Sequence, residues 1–415
     1  MSDDQHALIS QLQETLAQQQ YNPTVVHNYC RNAALFLSYL KEQRIRLEAA
    51  IPATVSQYLD RAVQQFRERH GHSPAPCWES IPRAGIHSLL HLILQHWPPE
   101  PPTSDTRKIL CREICNQYQT WLREERGLAA ASIYDLMWEA RHFCAWYIRR
   151  IDTASFMGLH IGDIDAYFDL RARGLTRRSL KDVAERLRSF LRYLHRTGHV
   201  ADDLAARVIS PMLYAYETIP SALSLDQITT VLKAAVKDRS AMGLRDYAIL
   251  HLFATYGLRS GEVAHLSLND IDWHAETLNV RHSKSCVYSL LPLMRPVGEA
   301  LIRYLRGGCP QTDVREVFLR ARAPHHSLCV TGIYGIVRRR MEVAGVEPIG
   351  KRGPHIFRHA RAVSLLRAAV PQKVIGDLLG HRSAESTRPY LQLATEDLRA
   401  IALEIPEIPE REVRL

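Results

Sequence analysis

Six side chains in the C-terminal part of the chain could do chemistry together. Arg259 follows Tyr256-Gly257-Leu258, where a glycine stops a helix, and Glu262 lies three residues on, able to hold the guanidinium. Lys284 falls in a turn between two short alternating runs, flanked by Ser283 and Ser285. Pro354 opens a helix that sets His355 and Arg358 three residues apart on one face. Gly380 ends the following helix just before His381, and Tyr390 comes nine residues later. Arginine, lysine and histidine supply N–H donors and positive charge to anionic oxygens. A tyrosine supplies an oxygen nucleophile, weak at neutral pH because a free phenol has a pKa of about 10. Each residue alone has a plainer reading: a surface Arg–Glu pair, a solvated turn lysine, a buried satisfied histidine, a packed aromatic.

The elements that must position these residues are mostly helices. Up to residue 97 the apolar positions Leu8, Leu12, Leu16 and then Val25, Tyr29, Phe36, Leu40 recur at helical spacing. The run Trp97-Pro98-Pro99-Glu100-Pro101-Pro102-Thr103-Ser104 breaks the pattern, because proline removes donors and pushes its predecessor out of the helical region. Helical periodicity resumes over Cys111 to Arg150 and Ile161 to Gly198. The two helical segments look alike. Phe36-Leu37-Ser38-Tyr39-Leu40 matches Phe143-Cys144-Ala145-Trp146-Tyr147, and each is followed by a short helix carrying a tyrosine, Tyr58 or Tyr167. This predicts a duplicated helical module. Arg171, Arg173, Arg177, Arg178, Lys181, Arg186, Arg188, Arg192 and Arg196 crowd the second copy, as either a solvated helix face or a stripe along a phosphate backbone. Beyond Pro211 and Pro220, Ser224 and Gln227 form a capping box, and a helix over about Gly243 to Tyr256 stops at Gly257. Alternating runs at Leu266 to Ile271, Thr277 to Arg281 and Val287 to Leu293 predict a small antiparallel sheet, and helices return after Pro296.

The expected fold is therefore mainly α with a small antiparallel β-sheet in the C-terminal domain. Its expected parts are a helical module at 1–97, a Pro-rich linker at 98–104, a second helical domain at 105–205, a linker at 206–223, a third domain at 224–402 and a tail at 403–415.

The chain has 415 residues, 46% hydrophobic and 23% charged, which excludes a single small module and a disordered polymer. Its net charge of +9 favours polyanionic partners, nucleic acid ahead of membrane. Apolar stretches such as Ile86 to Leu94 are far shorter than the roughly 20 residues a bilayer demands. The acidic, amphipathic start MSDDQHALISQLQE does not read as a secretory signal, so a cytoplasmic protein is expected, nucleoid-associated if bacterial. Eight cysteines without a CxxC pair argue against zinc, and Cys111 and Cys115 read as reduced core residues.

The order and spacing of the six residues resemble the tyrosine recombinase (phage integrase) family over roughly residues 105 to 402. TYGLRSGEVAHLSLNDID stands for its first arginine box, Lys284 for its hairpin lysine, His355-Ile-Phe-Arg358-His for its HxxR box and LLGHRSAESTRPY for its LGH…Y box. The resemblance implies a catalytic set of Arg259, Lys284, His355, Arg358, His381 and the nucleophile Tyr390. It implies N-terminal SAM-like DNA-binding domains, and strand exchange through a 3′-phosphotyrosyl intermediate without metal, cofactor or ATP. It also implies a homo-tetramer, or a hetero-tetramer with related recombinases, on double-stranded DNA sites, with accessory DNA-bending or directionality factors and no membrane. Arg177, Arg178 and Lys181 are expected to touch phosphates. Two positions depart from the family pattern: Pro389 directly precedes the tyrosine, and Arg361 stands where a small or apolar residue is common. A family member that holds DNA without cutting and a type IB topoisomerase are the alternatives.

Overall fold

The structure is a computed structural model and describes residues 3–94, 96–99, 103–214, 222–282, 287–348, 350 and 352–380. Packing divides the chain into two compact units, residues 99–217 and residues 1–98 together with 218–415. Among the described residues no helix is long and apolar enough to cross a membrane.

The first segment holds α1 (Asp3–Gln18), α2 (Pro23–Glu42), α3 (Pro52–His70) and α4 (Ser80–Ile93). The Asn22 side chain accepts from the Thr24 N–H at the start of α2, and Pro23 opens that helix. Leu12, Phe36, Leu37, Leu59, Ile86 and Leu89 share one buried cluster.

The unit 99–217 holds α5 (Thr106–Glu124), α6 (Ala130–Tyr147), α7 (Ile161–Ala172) and α8 (Arg177–Arg196), closed by a 3₁₀ turn at Leu204–Arg207. Its core gathers Tyr118, Phe143, Tyr147, Tyr167, Leu187 and Phe190, and extends to Val208. Glu139, fully buried on α6, accepts from the Tyr167 hydroxyl and from Arg171 Nη2, so its charge is paired inside the core.

The two four-helix segments share a ring motif. Phe36 and Tyr58 meet edge-on at 5.4 Å, as Phe143 and Tyr167 do at 5.1 Å. Tyr39 lies 5.3 Å from Tyr58, and Trp146 lies 5.3 Å from Tyr167. An arginine covers the outer ring in each: Arg61 over Tyr39 and Arg150 over Trp146.

The C-terminal segment runs α9 (Leu225–Ala235), α10 (Ala241–Tyr256), the short α11 (Ser260–Ala264), β1 (Ile271–Asp272), β2 (Thr277–His282), β3 (Val287–Pro292), α12 (Arg295–Gly307), α13 (Val330–Val343), α14 (His355–Arg367) and α15 (Gln372–Leu378). Ser224 and Gln227 make both hydrogen bonds of the expected capping box. The three strands form an antiparallel sheet in sequence order, with His282 opposite Val287 at the end of the β2–β3 hairpin next to the connecting residues 283–286. The run Leu266 to Ile271 is mostly not a strand. Ser267 and Asp270 cap a 3₁₀ turn there, which leaves only Ile271 and Asp272 to pair with β2.

α10 and α13 are joined by a buried ion cluster. Asp246, fully buried, accepts from Arg339 Nη2 at 2.7 Å, Arg340 Nε at 2.9 Å and Arg245 Nη2 at 3.0 Å. Arg340 also donates to Asp238, whose carboxyl is pulled down to about 2 by the Ser240 hydroxyl and by Arg340. Fixing α10 this way sets the position of its C-terminus, where the candidate site begins.

Candidate active site

Gly257 ends α10 in the left-handed region at φ 66°, a conformation open to glycine at little cost. A Cβ there would sit 3.0 Å from Leu379 and 3.4 Å from the Arg358 Cα, so the position also permits a close approach of α14 and the end of α15. The Tyr256 hydroxyl accepts from the Met294 N–H at 2.9 Å and donates to the Pro292 carbonyl at 2.7 Å, which ties the end of β3 to the same corner.

Two residues past the glycine, Arg259 caps α11. Its backbone N–H donates to Glu262 Oε2 at 2.7 Å and its Nη1 to Oε1 at 2.8 Å. The Glu262 side chain is fully buried and takes a third partner, His282 Nδ1, at 2.8 Å. A carboxylate only accepts, so Nδ1 carries the proton of that contact. The other ring nitrogen of His282 meets Ser289 Oγ at 2.8 Å across the hairpin. Burial alone would raise the Glu262 pKa, but the bonds from His282 and from the Arg259 backbone and guanidinium outweigh it and hold the carboxyl below its ordinary value.

Arg358, on the first turn of α14 and 3% exposed, donates through Nη1 to the Gly257 carbonyl at 2.9 Å and through Nη2 to the Leu379 carbonyl. Arg259 Nη2 donates to the next carbonyl, Gly380, at 3.1 Å. The two guanidiniums thus converge on consecutive carbonyls. Gly380 itself is left-handed at φ 62°, and a Cβ there would lie 2.5 Å from the His282 ring. One connected network therefore joins α10, α11, the hairpin, α14 and the end of α15.

Of the six expected residues, Arg259 and Arg358 are brought together by this network. His355 is exposed at the start of α14, its ring 6.1 Å from that of His359. Lys284, His381 and Tyr390 lie outside the described residues, as does Pro389. The ends of the arms that bracket Lys284 are His282 and Val287, and the chain that leads to His381 leaves from the two carbonyls under the guanidiniums. Arg361 is half-buried, and its Nε has no hydrogen-bond partner among the described residues; burial pushes its pKa down.

The strand expected at Thr277 to Arg281 runs one residue further, to His282. The period of two held the signal, since Leu278, Val280 and His282 are the inward residues of β2. A histidine at an inward strand position needs buried partners, here Glu262 and Ser289.

In the other unit, Arg177 and Arg178 are exposed and Lys181 half-buried on the first turns of α8. Arg177 donates to the Met212 carbonyl at 2.7 Å and lies over the Tyr214 ring. Arg186 pairs with Asp135, and Arg188 with the Val208 carbonyl, so part of the basic run serves the fold.

Residues 221–397 match the model of the phage integrase family. An integrase/recombinase of Sinorhizobium fredii, y4rA, is 31% identical over 95% of this chain and 92% of its own length. A second from that organism, y4gC, is 63% identical over 45% of this chain and 97% of its own. The tyrosine recombinase XerD of Mycobacterium tuberculosis is 30% identical over 68% of this chain and 94% of its own. Among solved structures, XerH site-specific recombinase bound to palindromic difH substrate superposes with a TM-score of 0.55, at 15% identity over 73% of this chain and 89% of that one. A lambda integrase tetramer bound to a Holliday junction gives 0.52, at 18% identity over 82% and 92%. The protein belongs to the phage integrase family of tyrosine recombinases, and its fold is theirs.

Proposed function

We propose that this protein cleaves and rejoins DNA strands at specific sites through a 3′-phosphotyrosyl intermediate, to integrate, excise or transpose a mobile element. The observation that carries this reading is the convergence of Arg259 and Arg358 on the carbonyls of Leu379 and Gly380, directly before His381. Both guanidiniums are oriented before any substrate arrives, and Arg259 spends two of its five N–H donors on the partners named here, Glu262 and Gly380. Such donors are suited to the extra negative charge of a phosphorane.

In the reaction, the Tyr390 oxygen attacks phosphorus, the bond to the 5′-oxygen breaks, and Lys284 supplies the proton that the departing oxygen takes up. His355 accepts the phenol proton, and His381 joins the arginines on the phosphoryl oxygens. The phosphotyrosyl bond keeps the energy of the broken linkage, so a 5′-hydroxyl of another strand reverses the step without ATP or metal. The four-helix unit 99–217 is the core-binding domain in this reading. Arg177, Arg178 and Lys181 meet phosphates at the start of α8, where the positive end of the helix dipole also favours an anion. The shared ring motif supports duplication of that module in residues 1–98, as a second DNA or subunit contact. The active form is a tetramer of this chain, alone or with related recombinases, on two duplexes in the cytoplasm, with DNA-bending or directionality factors.

The test is incubation with nicked duplexes spanning the ends of the element that encodes the protein. A protease-sensitive, SDS-resistant adduct on the 3′-phosphate is expected with wild type and not with Tyr390→Phe. Tight, specific binding with no adduct would move the protein to the DNA-holding alternative.

A further inference from the structure

Three thiols from two helices meet inside the unit 99–217. Cys111 and Cys115 share one face of α5, and α6 brings Cys144 against them, with Cys115 Sγ 3.9 Å from Cys144 Sγ. Their exposures are 7, 5 and 2%. All three line a cleft of about 380 Å³ whose walls also carry Lys108, Arg112 and Arg141. A small solute entering that cleft reaches the sulfurs under a rim of positive charge. The recombination chemistry proposed above uses none of these residues.

The two close thiols are unlike. The contact with Cys144, opposed by burial and helped by Arg141, holds the Cys115 thiol below its ordinary value. Contacts with Cys111 and Cys115, together with burial, push Cys144 up. Of the two, Cys115 is the more readily ionised, as an attacking cysteine must be, and Cys144 the less, as suits a resolving one. Cations beside a thiol favour the reactive, ionised form. Among the described residues no group of three His, Cys, Asp or Glu side chains is placed to hold a metal ion.

We propose that Cys115 and Cys144 are a peroxide-sensitive dithiol that closes to a disulfide and staples α5 to α6. The Cys115 thiolate attacks one oxygen of hydrogen peroxide; the S–O bond forms, the O–O bond breaks, and the departing hydroxide takes a proton to become water. Cys144 then attacks the sulfenic sulfur, the S–S bond forms, the S–O bond breaks, and the second oxygen leaves as water with the Cys144 proton. Two thiols and one peroxide give one disulfide and two waters. The sulfurs must close from 3.9 Å to about 2.05 Å. The proposal requires that rotation of the two side chains on α5 and α6 supply that movement.

The full-length protein is treated with hydrogen peroxide, alkylated, digested without reductant and mapped by mass spectrometry. A Cys115–Cys144 linked peptide, lighter than its two reduced parts by two hydrogens and released by dithiothreitol, is expected in wild type and in Cys111→Ser. Cys144→Ser is expected to retain the sulfenic acid on Cys115, where dimedone captures it. Oxidation confined to the exposed Cys77 and Cys329, or a link between Cys111 and Cys144 in place of the expected one, would overturn the proposal. The wild-type map decides the matter even where a serine variant does not fold.

Discussion

At the scale of single residues, Glu262 is the hinge of the site. It orients the Arg259 guanidinium and anchors His282, and it is fully buried. Glu262→Gln leaves Nδ1 of His282 and the arginine facing an amide with one acceptor oxygen. Breaking a buried ion pair by removing one charge costs about 3–5 kcal/mol, so urea unfolding should show a loss of that order near neutral pH. The sign of its pH dependence follows from the depressed pKa. A carboxyl with a lowered folded pKa contributes stability that is present above its unfolded value, about 4.3 for glutamate, and lost as pH falls through the folded value. The gap between wild type and Glu262→Gln should therefore narrow on acidification; a gap that stays constant down to about pH 2 would remove the ionised carboxylate from the argument. The arginines themselves should resist conservative change. Lysine cannot donate to two carbonyls or two phosphate oxygens in a plane, so Arg259→Lys and Arg358→Lys should each slow adduct formation on nicked DNA by on the order of 10² to 10³. Binding to intact DNA should change far less.

At the scale of elements, glycines set how closely the pieces of the site approach. Gly380 is left-handed and lies against the His282 ring, with no room for a Cβ at 2.5 Å. Gly380→Ala must pay about 1–2 kcal/mol for the backbone conformation and must also move either the end of α15 or the histidine. The expected outcome is a lowered Tm together with loss of the covalent adduct, and retention of both would mean that the carbonyls of Leu379 and Gly380 do not need their observed placement. The hairpin shows a second dependence between elements. Its inward residues Leu278 and Val280 join the core while His282, the next inward residue, reaches Glu262. The same pleat that buries the strand thus fixes the arm leading to Lys284.

At the scale of the whole molecule, part of the basic surplus behind the net charge of +9 serves the fold. Arg171, Arg186 and Arg188 are used within the unit 99–217, whereas Arg178 and Lys181 stand at the start of α8 without a carboxylate partner among the described residues. Cations at a helix N-terminus oppose the helix dipole, so they weaken the helix unless an anion sits there. Replacing Arg177, Arg178 or Lys181 with alanine should weaken DNA binding at every sequence tested. Each lost contact should also flatten the slope of log K against log salt by about one unit. An unchanged slope for all three would return the stripe to the role of a solvated face.

What could be read from the sequence is what neighbouring residues decide among themselves. The Ser224–Gln227 capping box, the stop of α10 at Gly257, the start of α14 after Pro354 and the pairing of β2 with β3 all depend on groups a few residues apart, or on a period of two or 3.6. Within each motif box the residues are likewise a few positions apart, and the order of the boxes along the chain made the family legible. Tertiary structure decided the rest. Arg358 meets Gly257 across 101 residues and Arg259 meets Gly380 across 121, and Cys144 reaches Cys115 from another helix. No local periodicity encodes such partners. They are chosen by which apolar faces bury together, and only that burial takes Glu262 and His282 out of water and makes each need the other.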